Sequence, residues 1–139
     1  MKAENGGYKI VLTADRTLMS EYAGNIFFGF STSAPRGFIP DWVYYRYICP
    51  PMRARGNGEA VFAPYPLRKI EAALLRRGFE PDEVIVARPD RLDKVIGERT
   101  KVVAITVMDP LGVGPVTSMF VNLFGGEAYD AHNFRKLMS

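Results

Sequence analysis

A single cysteine and a single histidine are all the thiol and imidazole chemistry that this 139-residue chain offers. Cys49 alone excludes an internal disulfide, and it excludes any multi-cysteine zinc or iron–sulfur site built from this chain alone. It sits in Tyr47-Ile48-Cys49-Pro50-Pro51 with no histidine nearby, so a buried, inert thiol is favoured over a nucleophile. His132 lies in a mixed polar stretch near the C-terminus, where no specific catalytic or ligand role is the simpler reading. No apolar run approaches the ~18 residues needed to cross a bilayer, and the start, Met1-Lys2-Ala3-Glu4, lacks the apolar core of a signal peptide. No membrane association and a cytoplasmic location are the resulting expectations. A net charge of +3 is too weak to argue for nucleic acid. Arginines cluster only in pairs such as Arg76-Arg77, which suits a solvated surface.

What is present is ordinary globular chemistry, with 47% apolar and 24% charged residues and a length that suits one domain over residues 1–139. Tyr8 to Thr13 is a short run of strand formers. From Ala14 to Tyr65 neither a helical nor a strand period holds, and residues 14–65 read as a long aromatic-rich insertion or arm. That arm carries Phe27, Phe28, Phe30, Phe38, Trp42 and several tyrosines between glycines and prolines. A structureless stretch of that length is usually functional, or is ordered by something else. Aromatics without interleaved basic residues favour a core or a domain interface over a nucleic-acid stacking platform. A helix within Ser20 to Phe30, and a short helix or strand over Trp42 to Ile48, are the only elements expected there.

Order returns at Pro66. Leu67, Ile70 and Leu74 share one helix face, Pro66 suits the first helical position and Gly78 the stop, with Phe79 closing beyond it. Val84 to Ala87 is an apolar strand. Asp90 is placed to cap a short helix carrying Leu92, Val95 and Ile96. Val102 to Met108 is a third strand, and its continuous apolar character predicts burial on both faces, as parallel strands require. Strand, helix, strand, helix, strand is the order of right-handed crossover units. The expectation is a three-layer α/β domain around a short parallel sheet. A helix follows from Val116 to Phe124, ended by Gly125-Gly126, and another runs from Glu127 to Met138. No further strand follows, so the sheet reads as truncated.

Ligands of open α/β sheets gather outside the carboxyl ends of the strands. Thr13–Arg16, Ala87–Asp90 and Asp109–Pro115 occupy that edge. Gly112 and Gly114 leave room for a ligand to approach the backbone, and Pro115 starts a helix whose free N–H groups attract anions. Against this, Gly-x-Gly-Pro is commonly a plain strand-to-helix turn, and it is no dinucleotide fingerprint. Asp15 and Asp109 read either as an acid–base pair or as turn caps accepting backbone N–H groups, with the caps favoured.

The run Gly78-Phe79-Glu80-Pro81-Asp82-Glu83-Val84-Ile85-Val86-Ala87-Arg88-Pro89-Asp90-Arg91-Leu92, with Val95-Ile96-Gly97, Thr100-Lys101-Val102-Val103, Asp109-Pro110-Leu111-Gly112 and Gly114-Pro115-Val116-Thr117, resembles archaeal radical S-adenosylmethionine proteins. The likeness is to their N-terminal cobalamin-binding-type domain, and it covers roughly Lys9 to Ser139. It implies a flavodoxin-like (Rossmann-like) domain acting as the accessory, ligand-binding part of an iron–sulfur oxidoreductase. The parent's four-iron, four-sulfur cluster and S-adenosylmethionine would sit in a C-terminal catalytic barrel, and neither would be bound by this chain alone. That barrel is the implied partner. Cobalamin domains of this type carry an Asp-x-His-x-x-Gly loop after their first strand; Asp15-Arg16-Thr17-Leu18 stands there without a histidine. Thr106-Val107-Met108 stands where a Ser-x-Leu motif contacts the nucleotide tail. Any cobalamin would therefore be held with no protein histidine on cobalt, through Asp15, Arg16, Thr106, Asp109, Gly112, Gly114 and Thr117. The alternatives are a cofactor-free interaction module docking on the catalytic domain, or a small stand-alone α/β enzyme using Asp15 and Asp109. Self-association through the third strand or the aromatic arm is also expected.

Overall fold

The computed structural model describes residues 6–139; Met1–Glu4, read above for a signal-peptide core, lies outside them. The chain is mixed α/β and forms two compact units, one from the stretch up to Ala14 with Met52–Thr106, the other from Asp15–Pro51 with Val107–Ser139. The boundary falls inside the aromatic-rich segment, so residues 52–65 join the first unit and 15–51 the second.

The first unit is built on a parallel sheet of β1 (Ile10–Ala14), β2 (Val84–Val86) and β3 (Val102–Thr106), in the order β2-β1-β3. Ile10 lies opposite both Val84 and Val102, and Ala14 opposite Thr106. Strand β1, with a neighbour on each side, is buried along its whole length, which is why its apolar run is uninterrupted. Val11, Ile85, Ala87 and Val95 form the core, with Tyr8 and Leu92 packed against it. Strand β3 departs from expectation. It ends at Thr106 and not Met108, and it leaves Val102 49% and Val103 42% exposed where burial on both faces is expected; its place at an edge is the one a truncated sheet implies.

The Tyr65–Arg76 helix packs on β2 and β1 through Leu67. Its end is the expected one. Gly78 takes φ 96°, its N–H donates to the Leu75 carbonyl, and the Phe79 N–H reaches back to Leu74. Ile70, assigned by spacing to the same face as Leu67, is 45% exposed. Asp90 does not cap the Leu92–Val95 helix; its carboxylate receives the Arg88 guanidinium at 2.5 and 2.6 Å. Arg88 also donates to the Met52 carbonyl at 2.6 Å, and Arg68 to that of Ala60 at 2.7 Å. These bonds tie residues 52–65 to the sheet-bearing unit.

In the second unit, short 3-10 turns at Tyr22–Gly24 and Ile26–Ser33 stand where a helix is expected. Positive φ at Tyr22, Ala23 and Gly24 breaks any longer helix. A helical turn at Asp41–Val43 continues as a π-helix over Tyr44–Ile48. Tyr44, Cys49 and Tyr129 form the core. The Tyr44 and Tyr129 rings stack at 3.6 Å, and Asn133 donates to the Tyr45 hydroxyl at 2.8 Å and to the Tyr129 carbonyl at 2.7 Å. Helices at Pro115–Phe124 and Tyr129–Met138 complete the unit. Among the described residues no helix is long and apolar enough to cross a membrane.

Candidate functional site

The loop between β3 and the Pro115–Phe124 helix is organised by one carboxylate. Asp109 Oδ1 accepts the Val113 N–H at 2.9 Å and Oδ2 accepts the Gly114 N–H at 2.9 Å. Burial works against ionisation of Asp109. The Thr117 hydroxyl and the N–H groups of Gly114, Val113 and Gly112 outweigh it and hold the carboxyl below its ordinary range. The loop needs glycine twice, for different reasons. Gly112 has φ 67°, a left-handed angle. Gly114 has the unremarkable angles φ −57° and ψ 150°; what it needs is room, since a Cβ would lie 2.8 Å from Asp109 Oδ2.

The same bonds narrow the anion-binding reading of this loop. The Val113 and Gly114 N–H groups, just ahead of the helix that Pro115 opens, are given to the chain's own carboxylate. The negative charge that the helix N-terminus favours is built in.

An open cavity of about 460 Å3, whose Leu111 and Val113 walls are largely exposed, lies beside this loop, entirely within the second unit. Leu111, Val113 and Val116 give it apolar walls, and Asp109, Thr117 and Asp130 bring oxygen atoms to it. No lysine, arginine or histidine is among its lining residues. Asp130 belongs to the first turn of the Tyr129–Met138 helix and is only 3% exposed. One of its oxygens accepts the Ala131 N–H at 2.7 Å. Burial lifts its pKa from 3.8 to about 6, and the negative charges of Asp109 and Asp15 add to the rise. Asp15 is itself buried, which raises its pKa, while it accepts the Thr17 N–H at 2.8 Å and the Thr17 hydroxyl at 2.5 Å.

Of the residues singled out in the sequence, Asp109, Gly114 and Thr117 line this cavity, and Gly112 shapes its loop. Asp15 does not line it, but its charge is felt at Asp130. Arg16 is engaged elsewhere: its guanidinium lies over the Tyr45 ring at 4.0 Å, and its Nε is buried without a hydrogen-bond partner. Thr106 is the last residue of β3, in the first unit. Sequence reasoning missed Asp130. The signal available was an acid flanked by Ala128, Tyr129 and Ala131, small or apolar neighbours at the start of the helix.

Both acids of the proposed acid–base pair cap turns, which is the favoured of the two sequence readings. An Asp109 carboxylate already holding two backbone donors suits holding a shape better than moving a proton. Cys49 is fully buried, and burial pushes its thiol pKa up, away from thiolate chemistry. His132 Nδ1 lies 2.9 Å from Arg36 Nη1 and 3.3 Å from Glu127 Oε2. Among the described residues, no group of three potential metal ligands comes together. Comparison of the chain with protein-family models, with curated proteins and with solved structures returned no match.

Proposed function

We propose that this chain is a ligand-binding accessory domain of a radical S-adenosylmethionine enzyme, and that it does not catalyse a reaction alone. The observation that carries the binding half of the reading is the cavity between the Asp109 loop and Asp130. Its volume falls in the range of small-molecule sites, roughly 300–1,000 Å3. Its polar groups are few and preorganised, and no nucleophile–base pair accompanies them. The accessory-domain half rests on the resemblance through Gly78 to Thr117. The β2-β1-β3 order supports it too, because a flavodoxin-like sheet also places its first strand between the second and third. With Cys49 alone and buried, the cluster and S-adenosylmethionine belong to the catalytic partner domain.

A histidine-ligated corrinoid does not fit these residues. Leu18 and its neighbours offer no imidazole, and His132 is engaged by Arg36 and Glu127. Cobalamin therefore enters this reading only in a form with no protein histidine on cobalt. The experiment is a titration of the purified chain with aquacobalamin, followed by visible spectroscopy, in wild type and in His132→Ala. Saturable binding with the same spectrum in both proteins supports the reading. A histidine-ligated spectrum that vanishes in the variant overturns it. Anaerobic iron–sulfide reconstitution is the companion measurement, and a stoichiometric four-iron cluster on this chain sinks the accessory-domain reading.

One observation favours a second reading, a cofactor-free interaction module. Phe27 is 74% and Trp42 68% exposed on the second unit, an unusual display of aromatic surface. Failure of every ligand, with binding to a catalytic domain of the three-cysteine class, would select it.

A further inference from the structure

We propose that the Asp109–Asp130 cavity is a subsite for an ammonium-bearing group on an apolar body, and not for a phosphate or carboxylate. The inference rests on the ligand-binding reading above and gives that site its charge preference. An anion arriving at the start of the Pro115–Phe124 helix would find the Val113 and Gly114 N–H groups already taken, both bonded to Asp109 at 2.9 Å. It would also meet two carboxyl groups and no basic lining residue. A cation meets the opposite situation.

Asp130 supplies the recognition. It is 3% exposed, lines the cavity, and among the described residues only a backbone N–H, that of Ala131, is bonded to its side chain. Among the described residues no side chain donates to either of its carboxylate oxygens. A buried carboxylate short of donors is costly unless a charged or hydrogen-bonding partner reaches it. The titratable groups that act on it, Asp109 and Asp15, are both acidic and make its isolation worse. An ammonium supplies the missing donor and the missing charge together. Leu111, Val113 and Val116 then suit the methylenes behind that ammonium. A divalent metal is the poorer occupant. Both Asp109 oxygens already accept backbone N–H groups, and no cluster of three ligating side chains forms among the described residues.

The test uses n-butylammonium as probe, with butyrate and n-butanol of nearly the same size as comparators, read from the methyl NMR signals of Val113 and Val116. At about pH 8 butylammonium is expected to bind at least roughly tenfold more tightly than either comparator. On acidification to about pH 5, where Asp130 is protonated, that preference is expected to fall roughly tenfold or more. Asp130→Asn should remove it. Should that variant fail to fold, Val116→Trp narrows the cavity while keeping both carboxyl groups in the chain, and it should remove binding instead. Butyrate binding as tightly as butylammonium at these methyls would overturn the charge preference while leaving a ligand site in place. Butylammonium binding that survives in folded Val116→Trp would place it elsewhere and overturn the proposal. No probe reaching the methyls would overturn it too; saturable cobalamin binding in the same sample would then leave the accessory-domain reading standing, and failure of both would remove the two together.

Discussion

Gly114 and Asp109 are locked together: the Gly114 N–H donates to Asp109 Oδ2 at 2.9 Å, and a Cβ on Gly114 would sit 2.8 Å from that same oxygen. A side chain there must push the carboxylate off the N–H groups it holds. Gly114→Val is therefore expected to cost about 1–3 kcal/mol by overpacking and by loss of the loop's bonds. Urea unfolding measures it. An unchanged midpoint would show that the loop gives way freely and that Asp109 does not hold it.

The complementary change is Asp109→Ala, which leaves the Val113 and Gly114 N–H groups without their acceptor. The expected loss is about 1–3 kcal/mol near neutral pH. Because the folded carboxyl is held below its ordinary 3.8, its stabilising effect is present above that value and fades as pH falls through the lower, folded one. The gap between wild type and Asp109→Ala should accordingly narrow in strong acid. A gap that is constant with pH would mean that ionisation of Asp109 contributes nothing.

These two residues were legible in the sequence because their cause is local. A strand end, a glycine-spaced turn and a proline-started helix announce a loop in which an aspartate takes the free N–H groups. The Tyr65–Arg76 helix was legible for the same reason, through Leu67 inside and Gly78 at the stop. The edge position of β3 was legible too, because no further strand follows it in the chain, but its burial was misjudged: Val102-Val103-Ala104-Ile105 has the composition of a strand covered on both faces, and the structure leaves Val102 and Val103 exposed. The 3-10 turns were hidden by residues with no period to read. Asp130 was hidden by distance. An acid in the first turn of a helix ordinarily serves the helix dipole in water, and its burial depends on packing remote in sequence.

Asp130 also sets a pH dependence. Its pKa rises on folding from 3.8 to about 6, so the protonated form is the one the fold prefers. For a raised pKa the benefit is full below the unfolded value and is lost as pH climbs through the folded one. Stability should therefore decline between about pH 4 and pH 7, by up to about 3 kcal/mol from this group. Asp15, raised by burial, acts in the same direction. Asp130→Asn should flatten that decline and be more stable than wild type at pH 7.5. Parallel melting-temperature profiles for the two proteins over this range would contradict the assignment.

The edge of the sheet carries the last prediction. Strand β3 pairs with β1 on one side, and among the described residues no strand pairs on the other. Val102 and Val103 are exposed there, at 49% and 42%. Unpaired backbone N–H and C=O groups beside apolar side chains form a template for another strand. Self-association through β3 is the expected result, seen by light scattering as a mass that falls across a dilution series. Val103→Lys places a charge on the edge and should shift the mass toward the monomer while leaving the circular dichroism unchanged. If the mass does not respond, Phe27→Ser with Trp42→Ser tests the exposed aromatic surface of the second unit in its place. A response there alone would assign the contact to the aromatics and free the edge of any part in it. A strictly monomeric wild type at high concentration would mean that neither surface seeks a second copy.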